Sequence, residues 1–248
     1  AADYGRFQRR RRIFIFAWRR SLKYNILLNN NTISDYISRN GFFAKALPIH
    51  EISDIGLKQI DISGSAYLDT VEMTNRFAAK FDNCGVLLDG IVYSSKVEPI
   101  MHPQVKLKDI LESSENVGDE YYINELQREK FLKLKNGKRI IRTDKKTGYS
   151  YTYSEGTMEF PDNLDKPSRT MLTSESSLNR STHVIECEPG RLRYITPVEA
   201  EKLNDFPPNW TNTGMTKKRR YFMMGNALVT GIVSKLEPVL SEIIENEE

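Results

Sequence analysis

The N-terminal segment joins a basic run to an apolar one. Residues 9–12 are four consecutive arginines, and residues 13–18 (IFIFAW) are apolar at every position. A continuous apolar run of this length is typical of a central strand that is covered on both faces. In an extended chain alternate residues share a face, which places Gln8, Arg10 and Arg12 together. We therefore expect a buried strand with guanidinium donors at its N-terminal end, in preference to a basic tail.

Farther along the chain, short apolar groups predict strands and small helices. Residues 81–93 predict a strand, a turn and a second strand, because Gly85 and Gly90 interrupt two apolar groups. Residues 105–112 predict a short helix, and the alternating tyrosines of residues 149–153 predict a half-exposed strand. The middle of the chain is thus expected to consist of short elements joined by polar loops.

The strongest local helix signal lies at Thr196, Pro197 and Glu199. A threonine N-cap, a proline at the first helical position and a glutamate placed to close a capping box mark a helix start, and we expect this helix to end near Asn204. Beyond it, apolar residues at helical spacing predict a helix with one core face that reaches Ile243. A proline at position 238 should end or kink that helix.

Length, charge and cysteine content limit the class of protein. The 248 residues are enough to bury a core, and the formal net charge is only +3. Cys84, Cys187 and three histidines supply neither a disulfide framework nor metal-ligand spacing, so we expect an intracellular protein without a metal. No apolar run reaches the length of a membrane span. Because the chain starts without methionine, we expect an upstream half on another polypeptide or a cut chain.

Two polar stretches are candidates for contact with nucleic acid. Residues 125–146 contain nine basic side chains and few acidic ones. A solvated helix face is the more common outcome for such a run, and a phosphate-binding surface is the alternative. Residues 166–185 are dense in Ser, Thr, Asn and Arg, whose short donors and acceptors can reach base edges and phosphates. A polar surface loop is the alternative there.

Three segments resemble motifs of the cytosine-5 DNA methyltransferases. Residues 3–14 resemble motif VIII, with Phe7 where the family usually has proline, and residues 193–210 resemble motif IX, with Asp205 in place of the usual glycine. Residues 225–227 fit the Gly-Asn-Ala signature of motif X. The residues that match motifs VIII and IX are Asp3, Tyr4, Gly5, Gln8, Arg10, Arg12, Phe14, Arg193, Thr196, Pro197, Glu199, Leu203, Phe206, Pro207 and Trp210.

This resemblance implies an α/β fold made of two parts. One is the C-terminal part of a Rossmann-like, S-adenosylmethionine-dependent methyltransferase domain, and the other is an inserted, mostly β and irregular target recognition domain. The expected boundaries are residues 1–22 for the end of the catalytic domain, 23–212 for the recognition domain with motif IX, and 213–248 for the motif X segment. The implied partner is double-stranded DNA whose target cytosine is flipped out, in a bacterial, nucleoid-associated restriction–modification enzyme.

The family's catalytic and cofactor motifs are absent from this sequence. The chemistry needs a thiolate, a carboxylic acid and a glycine-rich cofactor loop, which the family carries in Pro-Cys, Glu-Asn-Val and Phe-x-Gly-x-Gly motifs. Cys84 and Cys187 have acidic neighbours that would raise the pKa of a thiol. We therefore expect the C-terminal half of a methyltransferase that acts, and binds S-adenosylmethionine, together with a complementary chain bearing motifs I to VII.

The resemblance also assigns roles to individual residues. Arg10 and Arg12 would contact the flipped cytidine and its phosphate, with Arg12 near the pyrimidine O2, and Gln8 would hold the same face. Arg193 and Glu199 would orient the recognition domain. The residues expected at the methionine end of the cofactor are Gly225, Asn226 and Ala227. The residues expected to contact DNA are Arg169, Thr170, Thr173, Ser174, Glu175, Asn179 and Arg180.

Two other functions compete with this interpretation. A non-catalytic, sequence-specific DNA-binding protein derived from a methyltransferase would keep the recognition domain, but it would not need Arg10, Arg12 or the Gly225-Asn226 turn. A tRNA cytosine-5 methyltransferase has versions of the same motifs, yet the long insertion between Trp18 and Arg193 disfavours it.

Overall fold

The computed structural model describes residues 1–63, 67–175 and 177–247. The helices are α1 (Tyr24–Asn29), α2 (Ile33–Asp35), α3 (Phe42–Ala46), α4 (Thr70–Arg76), α5 (Glu125–Lys135), α6 (Pro197–Leu203), α7 (Lys217–Asn226) and α8 (Thr230–Glu247). The strands are β1 (Lys58–Asp61), β2 (Cys84–Leu88), β3 (Ile91–Ser95), β4 (Lys138–Thr143), β5 (Ser150–Glu155), β6 (Val184–Glu188) and β7 (Arg191–Tyr194). A π-helical turn at Tyr36–Asn40 follows α2, and short 3-10 turns connect several of the other elements.

The first compact unit comprises residues 1–11 and 103–231. Its strands form two antiparallel pairs, β4 with β5 and β6 with β7. The largest apolar cluster in this unit includes Met171, Ile185, Ile195 and Leu203, each of them fully buried. This core therefore joins the β6–β7 pair to α6 and to the polar segment that precedes β6.

The second compact unit comprises residues 12–102 and 232–248. Its sheet is three-stranded and antiparallel, with strand order β1-β3-β2. An aromatic cluster packs beside it, in which the Phe16 ring stacks on Phe42 at 4.1 Å between centroids and on Trp18 at 5.5 Å. The side chains of the N-terminal apolar run thus contribute directly to this core.

The expected central strand at residues 13–18 is not formed. The segment has no strand pairing among the described residues, and Ile13 and Ile15 are 90% and 88% exposed. Phe16 and Trp18 point into the aromatic cluster, whereas the intervening side chains face solvent. The prediction of a strand covered on both faces was wrong for this chain, because packing covers only one face of the segment.

Several predictions that rest on local signals are confirmed. Strands β2 and β3 form the antiparallel pair expected at residues 81–93. The strand expected from the alternating tyrosines is present as β5, but Tyr149 precedes it, and the strand is largely exposed where a half-exposed one was expected. The short helix expected at residues 105–112 is a 3-10 turn at Leu107–Ile110. Thr196 caps α6, its side chain accepts the backbone N–H of Glu199, and the capping box is complete.

Helix α8 continues past Pro238 to Glu247, so the proline does not end it, and the expected alternative of a kink stays a prediction. A proline removes one backbone hydrogen bond from a helix interior. Contacts after Pro238 hold the C-terminal turns of the helix. Glu242 forms an ion pair with Lys45 at 2.8 Å, and the Glu247 carboxylate accepts a hydrogen bond from the backbone N–H of Lys23 at 2.8 Å. The expected core face is only partial, because Leu240 is 41% exposed.

The two compact units divide the chain differently from the boundaries that the family motifs suggest. Residues 103–231 hold most of the expected recognition domain together with motifs IX and X in one unit, while residues 12–102 form the other with the last helix. The boundaries at residues 22 and 212 stay predictions about evolutionary modules. No helix in the described ranges combines the length and apolarity needed to cross a bilayer.

Asp205, which stands at the family's glycine position, has a left-handed backbone with φ 60°. Burial raises the pKa of its carboxyl, and the nearby Arg6 only partly offsets this, with Nη1 at 3.8 Å from Oδ2. A left-handed residue favours glycine or asparagine, which explains the glycine of the motif. Here aspartate is tolerated at an electrostatic cost when it is charged.

We predict that Asp205→Asn stabilises the protein at neutral pH and not in acid. Because the folded-state pKa lies above the unfolded value, the folded protein binds this proton first, so wild-type stability falls as the pH rises through the raised pKa. The gain from Asn should therefore grow from near zero below the ordinary aspartate pKa to its maximum at neutrality. Urea unfolding across pH measures it, and a gain that is constant with pH would contradict the prediction.

Candidate functional site

Gln8 lies at the centre of a buried polar network in the first unit. Its side chain is fully buried, and Nε2 donates to the carbonyl oxygen of Leu203 and to Asn204 Oδ1, both at 3.3 Å. Oε1 accepts the backbone N–H of Met171 at 2.8 Å. One amide therefore ties motif VIII to the end of α6 and to the polar segment of residues 166–185.

Arg10 continues the same network toward α7. The residue is 3% exposed, Nη1 donates to the Met171 carbonyl and Nη2 to the Gly225 carbonyl, each at 2.7 Å. Nη1 also lies 3.3 Å from Gln8 Oε1. The prediction that Gln8 and Arg10 share one face is confirmed, but that face is buried in the protein interior. There both side chains bind and position backbone groups of other segments.

Gly225 is required by close packing. A Cβ atom at this position would lie 2.5 Å from Thr173 Cα and 2.6 Å from the carbonyl carbon of Leu172. The backbone of residues 172–173 therefore rests directly on the last turn of α7, an approach that only glycine permits. The motif X glycine thus fits against the segment expected to contact DNA.

Arg193 and Glu199 form a fully buried ion pair. Nη2 donates to Oε1 at 2.7 Å and Nη1 to Oε2 at 2.9 Å, in a bidentate arrangement. Oε1 also accepts the backbone N–H of Glu112, and Oε2 that of Thr196, both at 2.8 Å. These contacts fix the start of α6 to β7 and to the loop at Glu112, and the expected role in orienting the recognition domain stays a prediction.

Several residues expected to contact DNA are instead part of the scaffold. The Arg169 guanidinium pairs with Asp162 at 2.6 Å and donates to the Ser181 carbonyl. Glu175 is 2% exposed, and its carboxylate accepts from the His183 backbone at 2.5 Å and contacts His183 Nδ1 at 3.0 Å. Direct base contact by Arg169 and Glu175 is not supported by this geometry, since their polar atoms face inward.

Arg180 is also used internally. Its Nη1 donates to the carbonyls of Leu134 at 2.7 Å and Asn136 at 2.8 Å, and its Nη2 donates to the carbonyl of Gly156. The first two residues precede β4 and the third follows β5. A single guanidinium therefore holds both ends of the β4–β5 hairpin, which we define as residues 138–155.

The remaining expected DNA-contact residues are closer to solvent. Thr173 and Ser174 are half-buried in a turn, and Thr170 Oγ1 donates to the Arg9 carbonyl at 2.7 Å. Asn179 Oδ1 accepts from the backbone N–H of Ser181 at 3.0 Å. These contacts set the loop conformation and leave Thr173 and Ser174 as the candidates best placed to reach a ligand.

The rest of the expected catalytic and cofactor residues lie at the surface. Arg12 and Asn226 are exposed, and Ala227 is half-buried beside the apolar core. Asn226 Nδ2 donates to the Phe222 carbonyl at 3.1 Å. Arg12 and Asn226 are therefore accessible to a substrate or cofactor, in contrast to Gln8 and Arg10.

The sequence comparisons identify the family. The family model described as "C-5 cytosine-specific DNA methylase" matches residues 1–242 of the chain. The chain belongs to the C-5 cytosine-specific DNA methylase family. Members of this family have an α/β methyltransferase fold and use S-adenosylmethionine as the methyl donor.

A curated relative and two solved structures resemble this methylase-family chain. The Type II methyltransferase M.Sau3AI of Staphylococcus aureus is 41% identical over 250 residues, an alignment that covers 100% of this chain and 59% of the relative. The S. pombe Dnmt2 methyltransferase structure is 19% identical with a TM-score of 0.41, covering 57% of this chain and 42% of its own. The Entamoeba histolytica methyltransferase EhMeth is 16% identical with a TM-score of 0.40, covering 62% and 47%. Both TM-scores are low, so the family assignment rests on the sequence match.

The expected role of residues 225–227 at the cofactor stays a prediction. Gly225 is committed to protein contacts, Asn226 is exposed at the end of α7, and Ala227 is half-buried against the apolar core. A cavity of about 200 Å³ beside Asp162 and Arg169 is smaller than typical ligand pockets of about 300–1,000 Å³.

Neither cysteine has the properties of a methyltransferase nucleophile. Burial raises the pKa of the Cys84 thiol, and it is also the main cause of the raised pKa of Cys187, where Arg193 and Glu199 act in opposite directions. The expected direction is confirmed, but its principal cause is burial and not the neighbouring acids. A nucleophilic cysteine needs its pKa lowered, so both thiols are unsuited to that role.

Sequence reasoning missed one buried relay in this unit. Ser168 Oγ lies 2.9 Å from His183 Nε2, whose other ring nitrogen contacts Glu175. All three residues are at most 2% exposed, so the relay is structural and crosslinks the segment of residues 166–185. Its only signal in the sequence was the single histidine within a run of hydroxyl side chains.

We predict that Gly225→Ala destabilises the protein by about 1–3 kcal/mol, because the added methyl group overlaps the Thr173 backbone. Gly156→Ala is the matched control, since a Cβ atom there meets nothing within 4 Å. Urea unfolding of both variants measures the difference. Equal stability of the two variants would contradict the packing described here.

We predict that two arginines of the same basic run differ strongly in their contribution to stability. Arg10→Ala should lower the free energy of unfolding by about 3 kcal/mol, because it leaves the Met171 and Gly225 carbonyls without their charged donor. Arg12→Ala should change it by less than about 0.5 kcal/mol, as expected for an exposed side chain. Thermal and urea unfolding distinguish them, and similar losses would refute the division of roles.

Proposed function

We propose that this chain is the DNA-recognition half of a DNA (cytosine-5)-methyltransferase of the bacterial restriction–modification type. It methylates C5 of a flipped cytosine in a specific duplex site, together with a complementary chain that carries motifs I to VII. The observation that carries the proposal is the family match over residues 1–242 in a chain whose two thiols both have raised pKa values. The similarity to the Type II methyltransferase M.Sau3AI supports the restriction–modification class.

The exposed apolar strip of residues 13–18 supports a complementary chain. Ile13 and Ile15 are almost fully exposed on an extended segment, while Phe16 and Trp18 anchor its other face. Exposed apolar side chains on an extended segment favour pairing with another strand. In the proposed assembly a strand or helix of the complementary chain covers Ile13 and Ile15, which would restore the two-sided burial that the sequence pattern predicts.

In this proposal the complementary chain supplies the nucleophile and this chain supplies positive charge. When a thiolate adds to the cytosine ring, negative charge develops on the pyrimidine, and a guanidinium near O2 stabilises it. Arg12 is the accessible arginine that the motif assigns to this position. Gln8 and Arg10 act indirectly, because their hydrogen bonds fix the backbone segment that immediately precedes Arg12.

S-adenosylmethionine supplies the methyl group when it is bound. Asn226 and Ala227 would line the methionine end of the cofactor, where Asn226 is exposed and Ala227 is half-buried at the end of α7. Gly225 acts by positioning, because its carbonyl accepts from Arg10 and its missing side chain admits Thr173. The proposed assembly binds the cofactor jointly, in the bacterial cytoplasm.

DNA recognition is proposed for the accessible part of residues 166–185. Thr173 and Ser174 are the candidates for base contact, with Thr170 and Asn179 shaping the loop that presents them. Arg169, Glu175 and Arg180 hold this loop from inside. The hydroxyl groups of Thr173 and Ser174 can donate to or accept from base edges, as direct readout requires.

The first test is complementation. We expect the purified chain alone to transfer no methyl group from radiolabelled S-adenosylmethionine to duplex DNA, because it lacks a competent thiolate. A polypeptide bearing the Pro-Cys and glycine-rich motifs should restore transfer, and one with its Pro-Cys cysteine changed to serine should not. Methyl transfer by the isolated chain would refute the two-chain arrangement.

The second test concerns Arg12. In the complemented enzyme Arg12→Ala should lower kcat by about 10²–10³-fold, as loss of an oxyanion-type donor does, while DNA affinity changes far less. Arg9→Ala removes the same charge from an exposed neighbour and serves as the control. Single-turnover kinetics and DNA titration separate the two quantities. An equal loss in both for Arg12→Ala would identify a simple phosphate contact.

A further inference from the structure

The β4–β5 hairpin projects from the first unit. Every residue from 136 to 152 is exposed, including the apolar side chains of Ile141 (79%) and Tyr149 (68%). Each strand contains six residues, which corresponds to a length of roughly 20 Å. A hairpin that contributed to a hydrophobic core would bury one of its faces. The β4–β5 hairpin buries neither face over these residues, so their side chains are available for contact with another molecule.

The charge of the hairpin is strongly one-sided. Its residues include five basic side chains and two acidic ones, Asp144 and Glu155. Asp144 accepts the backbone N–H groups of the turn at Lys146 and Thr147, which lower the pKa of its carboxyl, and Glu155 pairs with Lys138 at 3.0 Å. Both acids are therefore occupied within the hairpin.

Three basic side chains remain for an external anion. No carboxylate in the described part of the chain forms an ion pair with Arg139, Lys145 or Lys146. Arg142 differs, because its guanidinium lies over the Tyr153 ring at 3.7 Å and is held there by a cation–π contact. Arg139 lies near the base of the hairpin, opposite Ser154, whereas Lys145 and Lys146 lie in the turn at its other end.

The two faces of the hairpin have different chemistry. The strand register pairs Arg139 with Ser154, Ile141 with Thr152 and Thr143 with Ser150, so that one face carries only these side chains. It offers a guanidinium, four hydroxyl groups and one aliphatic group, and no carboxylate. Such groups hydrogen-bond base edges and contact thymine methyl groups, and a two-stranded ribbon fits the major groove of B-form DNA.

The hairpin is anchored to the segment expected to recognise DNA. Arg180 donates to carbonyls on both sides of the hairpin, and Lys135, which is 1% exposed, donates to the Thr182 carbonyl at 2.9 Å. Because Arg180 and Thr182 belong to residues 166–185, the direction of the hairpin is set by that segment.

We propose that the β4–β5 hairpin is a DNA-binding arm, with Arg139, Lys145 and Lys146 on phosphates and the face around Ile141 in the major groove. The proposal rests on the proposed function, since it takes duplex DNA as the substrate, and it adds a second contact surface beside Thr173 and Ser174. Ile141, which is 79% exposed, adds an apolar contact to the surface that carries these cations.

The test measures binding of the full-length chain to a fluorescent duplex of mixed sequence over a range of salt concentrations. The triple variant Arg139→Ala, Lys145→Ala, Lys146→Ala should bind at least about tenfold more weakly at low salt, and the slope of log K against log salt should fall by about 2–3. The control Lys80→Ala, Lys96→Ala, Lys218→Ala removes the same charge from exposed positions elsewhere and should keep the slope. Equal losses in both variants, or no loss in the first, would overturn the proposal.

A second measurement uses the unmodified chain and so does not depend on variant folding. Duplex DNA should protect the bonds after Arg139, Lys145 and Lys146 from trypsin more than those after Lys80 and Lys96, and unchanged cleavage would overturn the proposal. The outcome is separable from that of the proposed function, which is tested by methyl transfer with the complementary chain. Protection without any methyl transfer would support the arm and refute the enzyme.

Discussion

The buried donors of Gln8 and Arg10 are the constraint on which the first unit depends. A guanidinium removed from water needs hydrogen-bond acceptors, and in this chain the backbone carbonyls of Met171 and Gly225 accept from its two terminal nitrogens. Those carbonyls belong to segments that are far apart in sequence, so satisfying one side chain fixes motif VIII, the polar segment of residues 166–185 and α7 against each other. Glycine at 225 follows from this, because the segments can approach only where no side chain intervenes.

This arrangement separates two kinds of arginine within one basic run. Arg10 is an internal crosslink, whereas Arg12, two residues later, is exposed and follows from a backbone that the crosslink has fixed. The same division recurs farther along the chain, where Arg169, Arg180 and Arg193 all bind carboxylates or carbonyls inside the protein.

Features governed by neighbouring residues could be predicted from the sequence. The capping box of Thr196 and Glu199 and the β2–β3 pair depend on a few adjacent positions, and both formed as expected. The family and the methyl donor followed from the three motifs together. The prediction that failed concerned residues 13–18 and depended on which segments pack against them. Their apolar pattern indicated burial but could not show which face would be covered.

Residue type was similarly insufficient for the expected DNA contacts. Arginine binds a phosphate or a backbone carbonyl through the same N–H groups, so Arg169 and Arg180 could not be assigned to either from composition. Their actual acceptors lie in separate loops and strands that only the fold brings near. Gly225 shows the opposite case, in which a motif residue was identified correctly while its contact with Thr173 was beyond sequence reasoning.

The anchoring of the β4–β5 hairpin by backbone acceptors has an evolutionary consequence. Arg180 grips main-chain carbonyls, which every amino acid possesses, and the side chains of residues 136–152 take no part in the core. Substitutions along this ribbon therefore cost little folding energy and leave its direction unchanged. In the proposed DNA-binding arm, the groups that face the DNA can therefore be replaced while the scaffold that directs the arm is retained.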